Sequence, residues 1–349
     1  MKTIADLTSD RVYYRDLEPC DPELPGLKSL RHQLGIREGK LPRKREADYA
    51  RVALALAQAA QAKRGGDPLT ALVVIGDTEN DRLLAEFLSQ LPGAPTTYGF
   101  IGMDRPVAPE ILEWHGSIAS ATRWSLLHPW AEDLEQQGIN WSQTALLIDI
   151  DKTLLGPRGR GDGAIDDARA EGALVVAEQF LGADMNIPLF RRAYADLCHQ
   201  EWHHFTLDNQ DYVTSTALLI ASGVLEYDQL DADVAAEKIM SFAHLLDIVT
   251  PHVPASLATL YTELRTRVAA GDPTPFKQFR RAEFVSTISR MADGRLCLCK
   301  DLFNLCERLR LAGALCLATS DKPAESALPT PEQAAAGILP LHRTPARMI

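Results

Sequence analysis

Three short apolar runs in the chain have the length and composition of buried β-strands. They lie at 72–75, 145–148 and 314–318, and 97–101 is a weaker candidate for a fourth strand. Apolar residues at helical spacing surround them, at 45–62, 81–88, 124–137 and 301–310. Continuously apolar strands that alternate with helices are typical of a parallel sheet covered by helices on both faces. The pattern therefore predicts a Rossmann-like, doubly wound α/β core.

The pattern changes between 157 and 290, where we find no convincing strand. Helical segments follow one another instead, at 164–180, 189–199, 212–221, 231–246 and 256–270. A stretch of this length is within the usual size range of a domain. We therefore expect an α/β core formed by 1–156 and 295–349, with an all-helical domain, 157–294, inserted into it.

Composition changes this picture little, but it limits the classes of partner. The chain has 349 residues, 46% of them hydrophobic and 24% charged, which is typical of a globular protein with a sizeable core. Its net charge of -11 argues against a nucleic-acid or membrane-surface binder, because either favours a basic face. No run approaches the ~20 apolar residues of a membrane span. The polar first ten residues and the absence of a CxxC pair lead us to expect a cytoplasmic location.

Acidic and hydroxyl side chains follow the three apolar strands where each strand ends. They are Asp77 and Asp81 after the first, Asp149 and Asp151 after the second, and Thr319 after the third. In parallel sheets, ligands bind beyond the carboxyl ends of the strands. Carboxylates there can bind a hard divalent cation, and one can attack a substrate while another handles protons. A hydroxyl group in the same place can hold a phosphoryl oxygen.

Each motif also has a plain structural interpretation. A DxD in a loop is more often a solvated or capping pair than a catalytic one. The segment 76–81 can simply cap the helix that follows it, because Asp is a favoured N-cap residue. A Thr-Ser pair at a strand end is common. What favours a functional site is that all three motifs occupy the same kind of position, the carboxyl end of an apolar strand.

Together the motifs resemble those of the haloacid-dehalogenase superfamily: a strand-end DxDxT, a strand-end Thr or Ser, a Lys, and a strand-end GDxxxD. The sequence DIDKT at 149–153 matches the first motif and GDTEND at 76–81 matches the fourth, and both matches are specific. Thr319 matches the second motif, with Ser320 as the alternative. Lys40 and Lys44 both lie before the helix that leads into GDTEND, where the family places its lysine. The sequence does not separate these two lysines.

The order of the motifs differs from that of the family, which usually begins with DxDxT and ends with GDxxxD. Here the lysine and GDTEND precede DxDxT, so the resemblance implies a circularly permuted core. Moving residues 1 to about 140 to the C-terminus would restore the usual order, and surface termini make such a permutation tolerable. The helical insertion lies between the first and second motifs, where many family members carry a substrate-selecting cap.

The resemblance implies a magnesium-dependent phosphatase for a small-molecule phosphomonoester. Asp149 would be the nucleophile that forms an aspartyl-phosphate, and Asp151 would be the acid and base. The Mg²⁺ ligands would be Asp149, Asp77, Asp81 and the backbone carbonyl of Asp151. The groups that contact the phosphoryl oxygens or other parts of the substrate would be Thr319, Ser320, Thr153, and Lys40 or Lys44.

Some residues and functions stay open. Arg158 and Arg160 follow the nucleophile in a Gly-rich stretch and either reach an anionic substrate or are flexible surface charges. His199 and His203 are four residues apart and would share a face on a helix, for which ordinary packing or a surface position is the main expectation. A phosphotransferase or phosphomutase would use the same nucleophile. A retired binding module is the non-enzymatic alternative, against which the retained carboxylates argue, because buried like charges repel.

Overall fold

The structure is a computed structural model that describes the chain from residue 1 to residue 349 except for residue 184. It divides into two compact units. The α/β unit consists of Met1–Asp166 and Ile288–Ile349, and the helical unit consists of Asp167–Thr287. Both boundaries of the helical unit therefore lie inside the domain that the sequence pattern predicts at 157–294.

A seven-stranded sheet forms the centre of the α/β unit. Its strands, β1 to β7 in chain order, are Val12–Tyr13, Ala71–Gly76, Thr96–Gly102, Leu112–His115, Ile118–Ala121, Thr144–Asp149 and Leu315–Thr319. The order across the sheet is β1-β7-β6-β2-β3-β5-β4, and every neighbouring pair is parallel except β4 and β5. The predicted parallel arrangement of the strands that end at 75, 148 and 318 is confirmed.

Helices flank this sheet and make up the helical unit. The α-helices, α1 to α15 in chain order, are Ala5–Thr8, Leu27–Leu30, Ala47–Lys63, Glu79–Gln90, Leu127–Gln136, Gly163–Leu181, Ile187–Leu197, His203–Thr206, Gln210–Ala221, Tyr227–Ala235, Phe242–Val249, Ala255–Ala269, Lys277–Asp293, Lys300–Leu311 and Pro331–Ala335. Short 3-10 turns occur at Trp124–Leu126, Trp141–Gln143, Gln200–Trp202, Thr250–His252, Ala324–Ser326 and Leu341–Arg343. Among the described residues, no helix combines the length and the apolar character needed to cross a membrane.

Burial explains why the central strands are apolar at every position. All residues of β2, β6 and β7 are buried, because successive side chains point to opposite faces and helices cover the sheet. On one face, Leu72 of β2 packs in a cluster with Leu56 of α3 and Leu84 of α4. The in-register pairs Ile75–Ile148 and Asp149–Thr319 bring the carboxyl ends of the three strands side by side. The sheet thus fixes the positions of the polar residues that follow these strands.

The helical unit has an apolar core of its own, in which residues such as Phe190, Phe242 and Leu260 are buried. Its described residues contain no strand, as the sequence pattern predicts. The single helix predicted over 231–246 is wrong, because the chain forms α10 and α11 there, separated by a turn in which Glu237 has a positive φ of 57°. Helix α13 was not predicted.

Candidate functional site

Three buried aspartates converge at the carboxyl ends of β2 and β6. Asp149 is the last residue of β6, Asp77 follows β2 directly, and Asp81 lies in the first turn of α4. One carboxylate oxygen from each residue lies within 4.8 Å of those of the other two. Their exposed fractions are only 7%, 4% and 2%, in the same order. The parallel pairing of β2 with β6 therefore builds a compact acidic cluster from two distant parts of the sequence.

Asp81 serves the local fold and the cluster at the same time. Its Oδ2 atom accepts hydrogen bonds from the backbone N–H and the hydroxyl of Thr78, at 3.3 and 2.8 Å, which forms a capping box at the start of α4. Its Oδ1 atom faces the cluster. The residue before this turn must be Gly76, because a Cβ atom there would lie 2.2 Å from Cγ of Asp81. The segment GDTEND thus does cap α4, but the N-cap residue is Thr78 rather than an aspartate, and one oxygen of Asp81 remains for other contacts.

Lys44 contacts two of the three aspartates of the cluster. Its ammonium group donates to Oδ1 of Asp81 at 2.8 Å and also to Oδ1 of Asp149, and its side chain is only 3% exposed. Lys40 lies elsewhere, since its ammonium group forms ion pairs with Glu46 at 2.7 Å and Asp48 at 2.8 Å. Of the two lysines that the sequence leaves open, the fold brings Lys44 to the aspartates.

The loop after β6 brings a second cation to the cluster. Lys152 adopts a positive φ of 62°, and the loop folds back so that the N–H of Arg158 donates to the carbonyl of Lys152 at 2.7 Å. The guanidinium group of Arg158 then donates to Oδ2 of Asp77, and the hydroxyl of Thr153 donates to Oδ1 of Asp77 at 3.1 Å. Arg160 is not part of this arrangement, because its guanidinium group pairs with other carboxylates, those of Asp104 and Asp301.

The end of β7 supplies the two predicted hydroxyl groups. It also supplies a lysine that was not predicted from the sequence. Thr319 pairs in register with Asp149, and both Thr319 and Ser320 are buried. Lys322 is also buried, and its ammonium nitrogen lies 3.3 Å from Oδ2 of Asp151. The available signal was its position, three residues after Thr319 in the same strand-end segment. Asp151 therefore faces Lys322, whereas the ligand atoms of the acidic cluster come from other residues.

Burial and charge shift the pKa values of the cluster in consistent directions. Burial raises the pKa of the Asp149 carboxyl well above its usual value, against the effect of Lys44, and the charges of Asp81 and Asp77 add to the rise. Burial also raises the pKa of Asp77, although Arg158 opposes the rise. For Lys44, burial acts to lower the pKa, but Asp149 and Asp81 outweigh it and hold that pKa well above its usual value. The ammonium group of Lys44 is therefore charged. Lys44 and Arg158 together do not fully compensate the three carboxyl groups.

The cluster fits a small, hard divalent cation. All three candidate ligands are carboxylate oxygens, which are the donors that such cations prefer. With metal–oxygen bonds of ~2.1 Å, two ligands on opposite sides of Mg²⁺ lie ~4.2 Å apart. The oxygens of Asp77, Asp81 and Asp149 lie within 4.8 Å of one another, close to this limit. A divalent cation would also relieve the repulsion among the carboxylates.

Fold and site together define an α/β protein with a buried acidic cluster at the carboxyl edge of a mostly parallel sheet. Comparisons of the chain with protein-family models, with curated proteins and with solved structures gave no match. Any assignment of function therefore depends on the residues and their geometry.

Proposed function

We propose that this protein is a magnesium-dependent phosphohydrolase of the haloacid-dehalogenase kind, acting on a small-molecule phosphomonoester. The observation that carries the proposal is the position of Asp149. Its carboxylate lies within 4.8 Å of those of two further buried aspartates and contacts Lys44, and its backbone pairs in register with Thr319. A nucleophile, a metal site, a cation and a hydroxyl group are the groups that phosphoryl transfer through an aspartate requires.

The proposal includes a circular permutation of the family's motif order. It is supported by the adjacency of β7, β6 and β2, whose ends carry the Thr319, Asp149 and Asp77 motifs, although the last of these comes first in the sequence. We assign the helical unit the role of a substrate-selecting cap, because it is inserted in the sequence between the first two motifs.

In the first step, a carboxylate oxygen of Asp149 attacks phosphorus in line with the bond to the leaving oxygen. The bond from Asp149 to phosphorus forms as the bond to the leaving oxygen breaks, and Asp151 gives that oxygen a proton. Thr319 and Lys44 bind the phosphoryl oxygens. Lys44 keeps Asp81 as its partner when Asp149 loses its negative charge, so it stays at the reacting group.

In the second step, water attacks the phosphorus of the aspartyl-phosphate while Asp151 removes a proton from the water. The bond between phosphorus and the Asp149 oxygen breaks, and inorganic phosphate is released. Lys322 lies 3.3 Å from Asp151 and holds the carboxylate in place during both transfers. Asp77, Asp81 and Asp149 would hold Mg²⁺, which would supply positive charge to offset the repulsion between nucleophile and phosphate.

The proposal is tested by measuring phosphate release from p-nitrophenyl phosphate with Mg²⁺ and with excess EDTA. We expect hydrolysis that depends on the metal. Lys44→Met should reduce turnover by roughly 10²–10³-fold, the range for removing one group that stabilises transition-state charge. Lys40→Met is the matched control, since Lys40 pairs with Glu46 and Asp48, and it should stay within about threefold of wild type.

Other outcomes separate the alternatives. Phosphate transfer to an added alcohol or sugar phosphate, without release of inorganic phosphate, would indicate a phosphotransferase or phosphomutase. Magnesium binding without turnover of any phosphorylated metabolite would contradict the hydrolase and favour a binding module. Equal activity of wild type and Lys44→Met would remove Lys44 from the site.

A further inference from the structure

The two cations at the acidic cluster differ in their freedom to move. The Lys44 side chain is 3% exposed and contacts both Asp81 and Asp149. The Arg158 side chain is 32% exposed and contacts Asp77. A partly exposed side chain with one partner exchanges between rotamers and partners more easily than a buried ammonium group with two partners. Lys44 is thus a fixed cation and Arg158 a movable one.

The backbone at Arg158 is held firmly, so the freedom belongs to its side chain alone. Its N–H donates to the carbonyl of Lys152 at 2.7 Å. Its carbonyl accepts from the N–H of Asp104 at 3.0 Å and from the indole N–H of Trp124 at 3.2 Å. The next residue, Gly159, has a φ of +81°, and a Cβ atom there would lie 2.0 Å from the carbonyl oxygen of Asp104. The loop therefore presents the guanidinium group from a fixed anchor.

Arg158 and a divalent cation at the acidic cluster would compete for the carboxylate of Asp77. The guanidinium group contacts one carboxylate oxygen of Asp77. Asp77 also supplies one of the three candidate ligand atoms of the acidic cluster, with Asp81 and Asp149. Two cations within a few ångströms of each other in a mostly buried site repel strongly, because solvent screens them little. The movable cation is the one that can leave. The nearest anion that substrate binding would add is the phosphoryl group at Asp149. The guanidinium group would form an ion pair with it.

We propose that Arg158 couples the binding of the metal to the binding of substrate, by leaving Asp77 when the metal binds and then pairing with a phosphoryl oxygen. This inference rests on the proposed function. Arg158 weakens metal binding in the absence of an anion and strengthens anion binding in the presence of the metal. The metal and the phosphorylated substrate therefore bind cooperatively, and the coupling is reciprocal.

The test is calorimetric titration of the full-length protein at pH 8, with magnesium chloride and inorganic phosphate as the probes. We compare wild type, Arg158→Ala and the control Arg82→Ala, which changes an arginine of similar exposure, 35%, that pairs with Glu79 and Glu86. For Arg158→Ala, we expect the Kd for Mg²⁺ alone to fall about tenfold, and the Kd for phosphate at saturating Mg²⁺ to rise about tenfold, within the usual range of coupling. Arg82→Ala should match wild type in both titrations.

The opposite signs of the two changes distinguish coupling from a structural role, which would weaken both. Arg158→Gln provides the same test with a hydrogen-bonding side chain if the alanine variant does not fold. An Arg158 variant that binds Mg²⁺ no more tightly than wild type overturns this inference but leaves the hydrolase intact. A wild type that binds no Mg²⁺ and does not hydrolyse p-nitrophenyl phosphate overturns both proposals.

Discussion

Each unit of this protein buries a group of charged side chains, but the two groups are built differently. In the helical unit, the guanidinium group of Arg280 pairs with Asp211 at 2.5 Å and with Glu283 at 2.9 Å, and Arg169 adds a second cation to Glu283. Asp211 also accepts a hydrogen bond from the N–H of Phe276 at 2.8 Å. Each acid there has a cation, and the guanidinium group spans both acids.

In the α/β unit, three aspartates share two cations, Lys44 and Arg158, among the described residues. The cations of both groups keep a raised pKa, because the neighbouring acids outweigh burial at Arg280 and at Lys44. In the acidic cluster, burial and the neighbouring aspartates also outweigh Lys44 and raise the pKa of Asp149, so this carboxyl is not fully compensated. Buried charge thus takes two forms in this protein: acids that are each matched by a cation in the helical unit, and a surplus of acids at the carboxyl edge of the parallel sheet in the α/β unit.

The strongest way to break this comparison is to neutralise one acid in each group and measure turnover. Asp149→Asn should lower kcat for p-nitrophenyl phosphate by about 10⁴-fold or more, because the proposed nucleophile is lost while its shape is kept. Asp211→Asn should stay within about threefold of wild type at a temperature where circular dichroism shows it folded. Residual activity of Asp149→Asn within tenfold of wild type would remove it from the nucleophile role.

The second test concerns stability in the helical unit. Arg280→Met leaves Asp211 and Glu283 buried without their shared cation, so the free energy of unfolding in urea should fall by about 3–5 kcal/mol. Arg265→Met is the control, because the Arg265 side chain is 50% exposed and forms only a 3.9 Å ion pair with Asp247. It should change stability by less than about 0.5 kcal/mol. A loss below about 1 kcal/mol for Arg280→Met would show that the network contributes little.

Magnesium should distinguish the two groups by its effect on stability. At 100 times its Kd, a ligand that binds only the native state stabilises it by about 2.7 kcal/mol. We expect this gain in wild type and in Asp211→Asn, and its near-complete loss in Asp77→Asn, as measured by thermal unfolding with and without Mg²⁺. An undiminished gain in Asp77→Asn would place the cation outside the acidic cluster.

The smallest expected effect depends on pH. The pKa of Asp149 is raised in the folded state, so stability is lost as pH rises from the unfolded pKa of about 4 towards the folded value. Asp149→Asn removes that loss. The variant should therefore be more stable than wild type at pH 8 without metal, and nearly equal to it at pH 4. If Asp149→Asn gained more stability over wild type at pH 4 than at pH 8, the pH dependence would have the opposite sign. That result would refute a surplus of negative charge in the acidic cluster.

The sequence allowed the central sheet to be predicted because its strands are buried on both faces and therefore apolar throughout. It did not reveal β1, which is two residues long, or β4 and β5, which are four residues long each. Helix α13 was missed for a different reason. Its buried positions include Arg280 and Glu283, and these charged residues interrupt the apolar periodicity that marks a helix. Because charged residues of the ion-pair network occupy buried positions of α13, a hydrophobicity pattern does not predict this helix.

The candidate site was predictable where position along a strand decides and unpredictable where loop direction decides. Asp149 and Thr319 end their strands, Asp77 and Asp81 come soon after a strand, and the parallel sheet brings these strand ends together. Lys40 and Lys44 lie in one irregular segment. Only the three-dimensional path of that segment brings Lys44 to Asp149 and Lys40 to Asp48. Arg158 and Arg160 separate in the same way. The contact between Lys322 and Asp151 depends on two loops and has no periodic signal.

The crowding of Gly76 against Asp81 limits how this sequence can drift over generations. Any side chain at 76 would have to displace the carboxyl group that caps α4 and faces the cluster. A descendant that keeps Asp81 is therefore committed to glycine at 76, whereas one that has lost Asp81 is free to replace it. Position 76 itself touches no reacting group, yet among relatives its identity should record whether the lineage has kept a working cluster.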